Sequence, residues 1–188
     1  MSLEAQFERA VRAASRWSAR LGGLVVLACA VLVTAEVILR NLPGGLGSEI
    51  RLHSFELTNF GFAAAVAFGF AYALTERAHI RIDLLYARLP LAARAGLDAL
   101  ALLALAAMAS TMAWHGWGVA MRSAAMGAMP NSTLRLPLVI PQSVWAAGLT
   151  WFAGIAVLLA AQALLRLARG RFAEVHAAAG VMREEDTA

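Results

Sequence analysis

Lysine is absent from this 188-residue chain, cysteine occurs once, and two apolar stretches hold no charged residue at all. Each shortage removes a class of protein. A lone Cys29 leaves no internal disulfide, no CxxC redox pair and no cysteine zinc cluster. From Ala99 to Met121 and from Val139 to Leu165 there is no Asp, Glu, Lys or Arg. A helix lying on a soluble core keeps a polar face toward water, and these segments have none. Charged residues make up only 15% of the chain, and the sixteen basic ones are all arginine, which we read as genomic base composition. The formal charge of +4 does not point to nucleic acid, because the arginines flank apolar stretches instead of forming one patch.

What the chain has is hydrophobic length. Sixty-one per cent of its residues are hydrophobic and the mean hydropathy is +0.67. Four runs, at about 21–39, 52–74, 95–121 and 139–165, are long enough to cross a bilayer core of ~30 Å, which takes about 20 residues. The expected fold is therefore an all-α integral membrane protein with four transmembrane helices. Residues 1–20 lack the apolar centre of a cleavable leader and read as an amphipathic helix. Phe7, Val11, Ala14 and Trp17 or Ser18 recur at helical spacing opposite Arg9, Arg12, Arg16 and Arg20. Two placements follow: a helix in the headgroup plane with Arg16, Trp17 and Arg20 at the lipid boundary, or an extension of the first span. Residues 21–165 form the membrane domain, and 166–188 a solvated tail.

Arginine placement sets the orientation. Twelve arginines lie before the first span, in the 75–94 loop or after the fourth span, against four in the other two connections. The positive-inside rule puts both termini and the 75–94 loop in the cytoplasm. The glycine-rich stretch 41–49 is an outward turn with Ser48 as the expected N-cap of the second span. Pro90 stands near the first turn of the third helix, and the three prolines of 129–142 end in an ordered loop before the fourth.

Polar residues near the spans are the candidate functional sites, since charge in lipid is costly. Glu36 and Arg40 are four apart and predict a local ion pair. Glu49, His53 and Glu56 share a face near Arg51, predicting an interfacial polar patch for water or a partner. Asp98 is within helical reach of Arg94. Small residues at Gly61, Ala65 and Gly69, and at Ala101, Ala104, Ala107 and Ser110, form ridges suited to close helix contact. Trp114, Trp117, Trp145 and Trp151 suggest an outer aromatic belt. No catalytic, metal or cofactor residues are expected.

The stretch 69–85, "GFAYALTERAHIRIDLL", resembles the signature of the small membrane subunit of tripartite ATP-independent periplasmic (TRAP) transporters. Gly69, His79, Ile80, Arg81, Ile82 and Asp83 carry the match, with the string at 36–40, Glu49, Leu89-Pro90 and "STLRLPLVIPQ" at 132–142 in support. Arg77 and Asn41 depart from the pattern. The resemblance covers about residues 20–165. It implies a non-enzymatic scaffold that stabilises a large multi-span TRAP membrane subunit and helps a periplasmic substrate-binding protein dock. That large subunit would move an organic acid, a carboxylate or sulfonate, with sodium. His79, Arg81 and Asp83 would clamp the loop after the second span or touch the partner and membrane phospholipid. Two alternatives are a stand-alone proton-coupled transporter using Glu36 or Glu56, and a membrane cytochrome b ligating haem through His53 and His115.

Overall fold

The computed structural model describes residues 3–41, 53–76, 89–131 and 134–179. They form five helices: α1 (Leu3–Asn41), α2 (Ser54–Thr75), α3 (Leu91–Ala125), α4 (Val139–Ala168) and the short α5 (Phe172–Ala179). The first four are long and apolar enough to cross a membrane. At 1.5 Å rise per residue, α2 extends about 33 Å, close to the ~30 Å hydrocarbon thickness. The other three overshoot it, because helical hydrogen bonding continues past the apolar run into turns bearing Arg94, Arg122 and Arg166.

The amphipathic N-terminal segment and the first span are one unbroken helix, so the expected interfacial turns are the start of α1 and not a separate element. That helix runs antiparallel along α2. A Cβ on Gly22 would sit 3.1 Å from the Ala65 carbonyl oxygen, and one on Gly61 would sit 2.8 Å from Cys29 Sγ. Ser18 Oγ–H donates to the Ser15 carbonyl at 2.8 Å and lies 3.3 Å from that of Phe68. Ser15 is fully buried. Gly61 and Ala65 of the expected ridge thus meet α1, while beside Gly69 there is open space.

α3 and α4 make the tightest seam. Besides Asp98 and Ser123, the buried positions of α3 are Ala95, Ala99, Leu102, Ala106, Ala109, Ala113, Gly116 and Ala120. On α4, Ala146, Leu149, Ala153, Ala156, Ala160 and Ala163 answer them. Spacings alternate between three and four on both helices, the 3.5-residue period that keeps two rods in contact through a left-handed crossing. The ridge expected at Ala101, Ala104, Ala107 and Ser110 lies instead on the exposed face of α3. Alanine occupies both faces of this helix, so small-residue spacing could not decide between them. A second stripe of α4 meets α2, where a Cβ on Gly148 would be 2.8 Å from Ala67 Cβ.

Two turns are built on glycine. Gly127 (φ 57°) ends α3, with Ala128 N–H donating to Ser123 O at 2.9 Å and Gly127 N–H to Ala124 O at 3.2 Å. Gly170 (φ 70°) ends α4 the same way, with Arg171 N–H on Arg166 O and Gly170 N–H on Leu167 O, both at 3.0 Å. Both are Schellman closures, which need a left-handed residue at their centre. The second turn sends the chain back, and α5 packs on α3 and α4 with Val175 fully buried. The segment expected as a solvated tail therefore begins with a docked helix. The apolar pair Phe172 and Val175 explains it: three residues apart, they lie on one side of α5 and pack into the core.

Candidate functional site

Polar residues gather at the two ends of the bundle. At one end α2 begins without a cap of its own. His53 occupies the N-cap position in left-handed geometry (φ 52°, ψ 33°) and makes no side-chain cap bond. Ser48, the expected N-cap, lies outside the described residues. The exposed amide is satisfied from α1: Ser54 N–H donates to Glu36 Oε2 at 2.9 Å. A carboxylate at a helix N-terminus meets both a free donor and the positive end of the dipole. Glu36 thus ties the C-terminal end of α1 to the N-terminal end of α2, and its expected partner Arg40 is exposed at the helix end. Beside it, His53 Nε2 and Glu56 Oε2 are buried and have no hydrogen-bond partner among the described residues. Glu49 and Arg51 lie outside the described residues, as do His79, Arg81 and Asp83.

At the opposite end Asp98, only 1% exposed, has its Oδ2 3.2 Å from His176 Nδ1. The imidazole comes from α5, 78 residues on, a partner that helical spacing from Asp98 could not reveal. Arg94 Nε–H donates to the Leu89 carbonyl at 2.7 Å, closing the first turn of α3 after Pro90. Glu174 lies 3.5 Å from Arg171 and 3.9 Å from Arg166. On α1, Arg16, Trp17 and Arg20 are all exposed, and the Arg20 guanidinium stands 5.4 Å over the Trp17 ring. Trp17 falls beside the packed stripe Val11–Ser15–Ser18–Gly22, not in it.

No helix is interrupted within its apolar length, and among the described residues no three His, Cys, Asp or Glu side chains are grouped to hold a metal ion. His53 and His115 stand on helices with different main neighbours: α2 packs on α1 and α4, α3 on α4 and α5. Polar side chains within the spans mostly bond locally. Ser110 Oγ–H donates to the Ala106 carbonyl at 2.7 Å and Thr34 Oγ1–H to that of Ala30 at 2.8 Å. Trp117 Nε1–H reaches across the seam to Thr150 Oγ1 at 3.0 Å.

Four continuous apolar helices with their charge at the ends define a multi-span membrane protein, and the large apolar side chains on their outer faces are open to lipid or to other membrane helices. A family model described as "Tripartite ATP-independent periplasmic transporters, DctQ component" matches residues 29–170. The chain belongs to that family, whose members are the small membrane component of a TRAP transporter and not enzymes. No curated protein and no solved structure matches it.

Proposed function

We propose that the chain is a scaffold subunit of a sodium-coupled importer of an organic acid, a carboxylate or sulfonate. It steadies a large multi-span transport subunit and contributes to the outer surface on which a periplasmic substrate-binding protein docks. The observation that carries this reading is the pairing of an alanine-tight, uninterrupted bundle with extensive outward apolar faces. Transport sites in membrane carriers use broken helices whose free ends hold ions and substrates near the bilayer centre. Here the helices run through, and one small-residue stripe of α3 is spent on holding α4 while a second stays exposed. α1 packs on α2 alone among its principal neighbours, leaving most of its surface for lipid or a partner.

In this reading the subunit sits in the inner membrane with both termini cytoplasmic, and it carries no cofactor; sodium is handled by the large subunit. The arginines of α1's first turns and of the α4–α5 turn rest among phospholipid headgroups. His79, Arg81 and Asp83 secure the loop that faces the large subunit. The Glu36–Ser54 tie keeps the outer rim in one shape for docking. Reconstitution tests it. Liposomes holding this chain and its large subunit, supplied with the binding protein, should take up substrate down a sodium gradient, and omitting this chain should abolish uptake. Uptake by this chain alone would overturn the scaffold reading and favour the stand-alone carrier.

A further inference from the structure

Along the side of α4 that faces α1, three hollows join end to end. The largest, about 660 Å³, lies between the first turns of α1 and the middle of α4, bordered by Ala14, Phe68, Trp151 and Gly154. It shares Val11 and Leu158 with a second hollow that reaches Gln162. Gln162 in turn borders a third, walled by Leu165, Arg166, Arg169 and Arg171. The groove exists because α1 packs on α2 and stands off from α4.

Its two ends differ in chemistry. The wide end is apolar, and the narrow end brings three guanidinium-bearing residues around one small space, beside the carboxylate of Glu174. From Gly154 to Leu165 the helix rises ~16 Å at 1.5 Å per residue. One leaflet of a ~30 Å hydrocarbon core is ~15 Å deep. A molecule with a fatty chain of one-leaflet length and an anion at its end fits that span.

We propose that this groove holds one anionic glycerophospholipid, its acyl chain laid between α1 and α4 and its phosphate among Arg166, Arg169 and Arg171. The proposal rests on the reading that a bilayer surrounds the four spans, and it is independent of any role in transport. Arginine is suited to the task, since its planar fork meets two phosphate oxygens at once.

Native mass spectrometry of the full chain in detergent, titrated with palmitoyl-oleoyl phosphatidylglycerol or phosphatidylcholine, tests it. One phosphatidylglycerol should remain bound at several-fold higher occupancy than phosphatidylcholine. Arg166→Gln and Arg169→Gln should each weaken phosphatidylglycerol by about fivefold, and Arg122→Gln at the far end of α3 should change nothing. Gly154→Leu alters no charge, and a Cβ at that position has no atom within 4 Å. That variant should keep its helical circular dichroism yet lose bound lipid. Equal binding of the two lipids, or indifference to both arginines, would overturn the proposal. So would a Gly154→Leu protein that retains lipid but no longer co-purifies with the large subunit, which would place a partner helix in the groove. A chain that stays monomeric in water without detergent would instead defeat the bilayer reading itself.

Discussion

Gly148 offers the sharpest test of the packing, because one added methyl group has nowhere to go. Its Cβ would lie 2.8 Å from Ala67 Cβ, 3.1 Å from Phe68 Cδ2 and 3.2 Å from the Ala67 backbone carbon. Carbon atoms in good contact are about 3.5–4.0 Å apart, so the overlap with Ala67 is about 1 Å. Phe68 can swing aside, but a Cβ and a backbone carbon move only if α2 moves. Overpacking of this kind costs about 1–3 kcal/mol. Alanine also gains up to ~1 kcal/mol over glycine in a helix, which offsets part of it. Gly154→Ala, six residues along the same helix in open space, has the gain without the clash. Thermal stability in detergent, followed by tryptophan fluorescence, should therefore fall for Gly148→Ala and hold or rise for Gly154→Ala. Ala67→Gly removes the nearest atom, so the double variant should recover about 1 kcal/mol of the loss in a double-mutant cycle. Phe68 and the Ala67 backbone keep the recovery partial. Equal stability of the two alanine variants, or a cycle with no coupling, would refute the α2–α4 contact as described.

Glu36→Ala should cost about 1 kcal/mol, the usual worth of an N-cap, and speed hydrogen exchange at the Ser54 amide; unchanged exchange there would count against the cap. His176→Ala leaves the buried Asp98 without its α5 partner and should destabilise by about 1–3 kcal/mol. Trypsin should then cut faster at Arg169 and Arg171, and an unaltered digestion rate would argue that α5 is held by Val175 alone. Gly170→Ala forces a side chain into left-handed geometry at a cost of about 1–2 kcal/mol, with the same digestion as readout.

Much of the architecture was legible because lipid imposes a simple requirement. A segment that must satisfy every backbone group internally and face hydrocarbon has to be a long apolar helix, and 139–165 announces itself as one. Helix ends were less legible, since hydropathy marks where lipid stops and α3 continues about a turn further at each end. Pairing was least so. Asp98 stood out as a charge at the edge of an apolar run, but nothing local could reveal that residue 176 folds back to meet it. Glu36 invited a partner four residues on, yet the bare N-terminus of α2 offers a stronger one. That N-terminus is bare because His53, at the N-cap position, makes no side-chain cap bond. The loop string at 79–83 carried the family resemblance and lies outside the described residues, so its geometry adds nothing to the assignment made from residues 29–170.

The seam between α3 and α4 is like a zip whose teeth are nearly all alike. Alanine has no rotamers to freeze, so the two rods close at little entropic expense, but identical teeth would also mesh after a slip of one repeat. Within the seam Trp117 Nε1–H on Thr150 Oγ1 marks one register, and two further fasteners lie at the ends. At one, Leu138 N–H donates to the Ala128 carbonyl at 3.1 Å and fastens the connecting loop; at the other, His176 catches Asp98. Loosening either fastener should let the pair creep lengthwise long before it comes apart.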